Sequence, residues 1–552
     1  MITNISAPKK KIWLILVAVL LIGLYVFFAA PNLNPLYADG AIFWLVLITA
    51  FTVIMNISSF KLIHYTDDRG KPAIKFDKGQ KINKSAIIIV VTLWALFILA
   101  NIIFNPIFFW KSYRDQMVEP EAKKFTEEVA PIDLSQIPVV DKELARTLAD
   151  KKLGEKPSLG SQVELGEPTI QSVDGKLIWA VPLRHSGFFK WISNMSGSAG
   201  YITVSATNLK DVKYIADYKI KIQPDSYFLH DLARKVRFSS GIFSGITDYS
   251  FELNDEGKPF WVVTTYKNTI GYSLPEANGV IIVDAQTGSS QKYTLDNIPK
   301  WVDRVQPEDY IMNQINNKGK YVHGIFNFSN KDKYKTSAGS NIVYNDGNCY
   351  LFTGITSVGV DESATGFIMV DMVTKQPILY RMSGATEHSA MQSAQGKVQD
   401  LGYTATMPLI LNLYNEPTYF MTLKDSAKLI KKYAFVSVKD YMIVGVGDTM
   451  NEAKADYAKT MNDISDKPNL GKGEEKVQLE AIGTVDRINF TIKGDQTFYS
   501  FTMTEKPGVI FRANLTSSAK LPLTMKGDNI KIKYTVLDDT LMDVSEFNNL
   551  SM

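Results

Sequence analysis

Three apolar runs, at 12–30, 41–60 and 86–104, dominate the N-terminal part of this 552-residue chain, and the rest has the mixed pattern of a soluble protein. Each run is apolar on every side rather than striped, and each nears the roughly 20 residues that cross a bilayer as a helix. The pattern predicts three spanning helices. Other readings compete with it. A cleaved signal peptide would need a small-residue cleavage site, and two more apolar runs follow the first. The second run ends in Asn56, Ser58 and Ser59; a segment that only dipped into the membrane would leave the large C-terminal part cytoplasmic or break the charge rule. Buried core helices would be striped, and these are not.

Charge orients the spans. Lys9, Lys10 and Lys11 precede the first run, and the connection at 31–40 holds no Lys or Arg. The connection at 61–84 carries Lys61, Arg69, Lys71, Lys75, Lys78, Lys81 and Lys84. Basic residues stay on the cytoplasmic side, so the N-terminus and this loop are expected inside. Everything after about residue 110 is then expected outside, as a multi-pass protein of a bacterial cytoplasmic (inner) membrane. Trp13, Tyr37, Trp44, Phe108, Phe109 and Trp110 sit where interfacial aromatics belong, with Lys111 and Arg114 following.

Beyond the spans (1–110), a charged helical neck is expected at 111–158, interrupted by Pro120, Pro131 and Pro138. A strand pattern then recurs. Runs opening at Gly200, Gly279 and Gly366 are rich in β-branched and aromatic residues and end in turn residues. Each has an upstream partner, at 177–183, 260–266 and 350–356. The turns at 254–257 and 345–348 read as hairpins, since calcium loops need more regularly spaced oxygen ligands. Helices are expected at 307–317, 387–401 and 449–461. Antiparallel sheets with helices over one face make an α+β protein, divided into a first module pair at 159–300 and a second region at 301–462.

The stretch Val-Asp-Ala-Gln-Thr-Gly at 283–288 resembles the closing strand and turn of a PepSY module. Gly-Phe-Ile-Met-Val-Asp at 366–371 is a looser match, and Ser205-Ala206-Thr207 departs further. The resemblance implies antiparallel strands curved around a helix, in an extracytoplasmic module that inhibits peptidases, binds peptides or supports envelope assemblies. It brings no catalytic residues. The whole layout is similar to an uncharacterised family of bacterial and phage membrane-anchored extracytoplasmic proteins. A polar linker at 463–475 separates these modules from 476–552, where five short alternating strands predict a small OB-like β-barrel.

Formal charge is +3, from 60 basic and 57 acidic residues, and gives no sign of nucleic-acid binding. The single cysteine, Cys349, excludes an internal disulfide and reads as a small buried hydrophobe. The five histidines lack metal-ligand spacing, so no metal or cofactor is expected. No catalytic motif is present. Two clusters are candidate binding sites. Arg184, His185, Phe188, Phe189, Lys190 and Trp191 join cations to aromatics, suited to an anionic glycan, a peptide or a membrane surface. Trp301, Asp303 and Arg304 precede a helix, whose entry Asp303 and Arg304 also shape. His230, Asp231, Arg234, Lys235 and Arg237 read as a solvated cationic face. The expected function is a membrane-anchored scaffold that binds envelope proteins or peptides, with homo-oligomers as a further partner class. An extracytoplasmic sensor of a peptide or glycan ligand is the alternative, and an envelope hydrolase ranks third.

Overall fold

The apolar runs fold as helices in the computed structural model, which describes residues 7–57, 60–66, 72–78, 83–129, 134–337, 339–345, 347–358, 364–464, 479–493, 496–536 and 540–552. They are α1 (Ala7–Ala29), α2 (Ala38–Ile57) and α3 (Lys84–Ile103). Among the described residues two stretches, Ala38–Asn56 and Lys84–Ile103, are long and apolar enough to cross a membrane, where three were expected; the apolar stretch described in α1, Leu16–Ala29, is shorter. The second run also stops early, because Phe60 belongs to a strand, Phe60–Thr66, that pairs antiparallel with Pro72–Lys78. Asn83 caps α3 by accepting from the Ala86 amide. At the other end Asn105 and Pro106 start a new helix, α4 (Pro106–Asp115), since proline cannot continue the old one.

The described chain divides into two units, Met1–Lys431 with Val436–Met442, and Lys432–Phe435 with Ile443–Met552. The first unit is built from repeated modules, each a helix followed by antiparallel strands. The first module has the helix Lys142–Gly154 and the strands Lys176–His185 and Tyr201–Ser205. The second has Leu232–Val236, Pro259–Ile270 and Ser273–Asp284. The third has Glu308–Lys320, Asn348–Ser357 and Ala364–Asp371. All three strand pairs expected from the sequence are hydrogen-bonded antiparallel. The helices precede the sheets they serve: Ile311 and Ile315 pack on Leu351, Ile368 and Val370 of their own module.

One hydrogen-bond pattern defines the repeat and reveals a fourth copy. The amides of Ala206, Ala285, Met372 and Val438 donate to Leu177, Pro259, Cys349 and Pro417, each at or near the start of the partner strand. The carbonyls of the same four residues accept from Val140, Ile222, Val305 and Ala385, the segments leading into each module's helix. All four are buried. The preceding residue closes a turn with its side chain: Ser205, Asp284 and Asp371 each accept from amides two and three residues on, and Ser437 from Asp440. Gly279 and Gly366 sit inside their strands, beside register shifts, at φ 152° and 155°, where an added Cβ would strike the carbonyls of Tyr293 and Tyr380. Only glycine lets those backbones approach.

The expected neck is not a solvated stalk. Glu121–Lys123 adds a parallel strand to the third module's sheet beside Pro377–Gly384. The helix Lys142–Gly154 buries Leu144, Ala145, Ala149 and Leu153, because its apolar residues share one face. Its N-cap Asp141 also receives Lys424 Nζ at 2.6 Å, which supplies the buried lysine with a counter-charge.

The second unit ends in a closed five-stranded barrel. Its order around the barrel is Leu479–Lys493, Gln496–Met503, Lys506–Asn514, Leu541–Asn549 and Asn529–Val536. The third and fifth strands in sequence pair in parallel, and all other neighbours are antiparallel. Phe501, Phe511, Tyr534 and Phe547 fill the interior. The helix Met450–Ile464, expected within the second module region, belongs with the barrel: Glu452 pairs with Arg512 at 2.9 Å. The expected linker lies almost wholly outside the described residues.

Candidate functional site

The second module meets the helices at one set of ends. A helix leaves its last carbonyls without intrahelical partners, and a cation there also favours the helix dipole. Arg234 fills that role for α1. Its Nε donates to the Phe27 carbonyl at 2.7 Å and an Nη to Phe28 at 3.2 Å, while the guanidinium lies over both rings. Arg234 is buried, and Arg237 donates to the carbonyls of Gly241 and Ser244. The solvated cationic face expected here is therefore an internal clamp, because main-chain carbonyls supply acceptors that the sequence pattern does not display.

The approach to α2 meets the same module. The Leu33 amide donates to Ile242 at 2.9 Å, Asn34 Nδ2 to Phe243 at 2.9 Å, and the Tyr37 hydroxyl to Tyr266 at 2.7 Å. The hairpin tip at 271–272 reaches the C-terminal end of α3, where Tyr272 lies 5.2 Å from Phe97 between ring centres. Gly271 packs so closely on Phe104 that a Cβ would not fit.

The first predicted cluster borders this seat. Phe188, Phe189, Lys190 and Trp191 lie on the short helix Phe188–Ser193. Trp191 is buried and donates to His230 Nδ1 at 2.9 Å. Burial, with Lys221 and His185 nearby, holds His230 below the usual histidine range, and burial does the same to His185. A neutral imidazole suits an acceptor role. Trp191 stacks on Phe228, which in turn meets Phe28 of α1. Arg184 instead pairs with Glu164 at 3.1 Å and Asp225 at 3.4 Å.

The second predicted cluster is a polar node among three modules. Asp303 Oδ2 accepts from the Ser172 amide of the first module at 2.8 Å and the Tyr344 hydroxyl of the third at 3.0 Å. The Asp303 amide donates to Glu252 of the second module at 3.2 Å, and Ser250 donates to the same carboxylate at 2.5 Å. Burial pushes Glu252 up to about 8 and Asp303 up to about 6. Arg304 pairs with Glu308 at 2.7 Å, at the start of the helix it precedes, and Trp301 lies 5.0 Å from Phe260. Glu252 escaped the sequence reading because it looks like the outward residue of an alternating strand. Cys349 faces Tyr344 across the hairpin, and burial raises its thiol well above the usual range.

A cleft of about 880 Å³ opens in the third module, between α4 and the sheet. Its carboxylates are matched: Asp115 with Arg114, Glu119 with Lys318, and Asp332 with His323. Lys333 and Arg381 add further positive charge to the lining. No sequence motif marked this cleft, whose residues come from segments spread between Arg114 and Arg381. No group of three or more potential metal ligands occurs among the described residues.

No protein-family model matches the chain, and no curated protein matches it. Among solved structures, a levansucrase variant from B. megaterium aligns at 9% identity, over 79% of this chain and 93% of that one, with a TM-score of 0.18. An endo-1,4-beta-xylanase from Bacteroides thetaiotaomicron aligns at 10% identity over 52% and 76%, with a TM-score of 0.15. The polysaccharide lyase Uly1 aligns at 9% identity over 70% and 77%, with a TM-score of 0.14. Likenesses at these TM-scores carry no statement about the fold or chemistry of this chain.

Proposed function

We propose that this chain is a membrane-anchored extracytoplasmic scaffold whose modules bind envelope proteins or peptides. One observation carries the reading. The C-terminal end of α1, the approach to α2 and the C-terminal end of α3 all meet the second module. With α2 and α3 as successive crossings, the approach to α2 and the end of α3 share one side, and the basic 61–84 connection lies on the other. By the charge rule the modules then face away from the cytoplasm.

The mechanism is binding by strand addition. An extended segment of the chain, Glu121–Lys123, already lines one sheet edge in parallel, and other edges, such as Ser290–Thr294, remain at the end of their sheet. Exposed edges accept extended peptides. The helix-plus-strand plan, with Asp284 and Asp371 closing equivalent turns, supports the PepSY-like reading, and the closed barrel supports the OB-like one. Cross-linking in intact cells, followed by recovery and mass spectrometry, tests the scaffold against a chain stopped after residue 115. Foreign proteins linked beyond residue 160 are expected. Self-links alone would replace the hetero-scaffold with a homo-oligomer.

The cleft in the third module favours a second reading, an extracytoplasmic sensor of a small anionic ligand. A ligand that raises the unfolding midpoint of the intact protein, and fails to do so in Arg381→Ala, would establish it.

A further inference from the structure

Several large apolar side chains stand in water beside the helix ends. Phe189 is 80% exposed, next to the Trp191–Phe228 stack that touches α1. Leu229 and Phe243 are exposed as well, one beside Phe228 and the other carrying the carbonyl that binds Asn34. At the far end of α3, Phe108 is exposed on α4, two residues before Trp110. Trp110 packs against Gly324, and the loop that follows bares Phe326 at 80% and Phe328 at 83%. Leu229 adjoins Phe228, which meets α1, and Phe189 reaches α1 through Trp191 and Phe228; Phe243 meets the connection between α1 and α2, and Phe326 and Phe328 follow Gly324, which meets α4. Cations accompany them: Lys190 on the same short helix as Phe189, and Lys111 and Arg114 over the Trp110 ring.

Water gives no reason for such a ring. Exposed aromatics in two separate modules share no core, yet both sets border helices whose own surfaces are bare; α3 buries none of its side chains. Apolar helix surface of that length needs lipid, and the surface continuous with its end lies at headgroup depth, where aromatics and basic residues concentrate. We propose that Phe189, Leu229, Phe243, Phe108, Phe326 and Phe328 form a collar that inserts into the outer-leaflet interface. The collar seats the modules flush on the lipid surface, instead of lifting them on a stalk. It rests on the reading that the helices span.

The test uses the full chain with Cys349→Ala, reconstituted in vesicles of phosphatidylcholine and phosphatidylglycerol. Single cysteines at positions 96, 189, 326 and 399 carry a bimane dye. Leu96 is an exposed residue in the middle of α3, and Gln399 is an exposed residue of the fourth module. The expected result is loss of fluorescence at 96 to lipids brominated deep in the chain. Positions 189 and 326 lose it to lipids brominated near the headgroup, and 399 stays bright. Quenching at 96 with 189 and 326 as bright as 399 would overturn the collar and leave the spans standing. No quenching at 96 would overturn the spanning reading and the collar with it.

Discussion

Arg234 Nε donates to the Phe27 carbonyl at 2.7 Å, across 207 positions of sequence. That bond ties the second module to the last turn of α1, and the same guanidinium also reaches Phe28 and Phe228. Removing it takes the donor from three carbonyls, those of Phe27, Phe28 and Phe228, in partly buried bonds. Hydrogen bonds to a charged group contribute roughly 1.5–3 kcal/mol each, with the upper end for buried ones. Arg234→Ala is expected to cost about 3 kcal/mol and to expose the 228–243 region to protease. Arg234→Lys is expected to recover only part, since one ammonium cannot span the same acceptors. Full recovery by lysine would mean that charge, not the fork geometry, holds the seat.

The acidic node predicts a pH dependence of stability. Burial raises Glu252 to about 8 and Asp303 to about 6, both above ordinary carboxylate values. Between its unfolded value near 4.5 and about 8, Glu252 keeps its proton in the folded state and loses it on unfolding. The folded state therefore binds more protons, and stability falls as pH rises through that window. Each such proton gives a slope of about 1.4 kcal/mol per pH unit. Urea midpoints measured from pH 5 to 8.5 are expected to decline, and Glu252→Gln is expected to flatten the decline. An increase of stability with pH in the native protein would contradict the assignment.

The glycines inside the strands predict a sharp contrast. Gly279→Ala drives a Cβ into the Tyr293 carbonyl at a backbone angle that side chains rarely adopt. A loss of about 3 kcal/mol or more is expected, as for other strained and overpacked positions. Gly396→Ala, at the end of a helix with nothing within 4 Å, is expected to change stability by less than about 1 kcal/mol. Thermal midpoints of the two variants, measured side by side, check the contrast.

Cys349 offers a probe of the node. It is buried opposite Tyr344, and burial holds it as the thiol. Maleimide is expected to leave it untouched in the native protein and to modify it at the rate of unfolding. Rapid labelling under native conditions would show that the third module opens without unfolding.

Much of this architecture was legible in the chain. Apolar runs marked the helices, and the glycines at 200, 279 and 366 marked three strands that pair as expected. The fourth copy was hidden because its strand, Ile430–Ser437, holds no glycine, and Ser437, like Ser205, stands where the other copies have the turn-closing aspartate. Its hydrogen bonds repeat nonetheless, since backbone groups rather than side chains make them. Arg234 and Glu252 were misread or missed for a shared reason: a charged residue looks solvated until a distant segment covers it. Two of the three acceptors of Arg234 lie in α1, and the cover on Glu252 comes from Asp303 and the first module. Sequence spacing carries no trace of either.

The account stands or falls on which side of the membrane the modules occupy. Cysteines placed at Gln399 and at Lys75, in a Cys349→Ala background, would be treated in intact cells with a small impermeant maleimide. The account predicts labelling at 399 without lysis, and at 75 only after the membrane is opened. Labelling at 75 in intact cells with 399 protected would place the modules in the cytoplasm and contradict it.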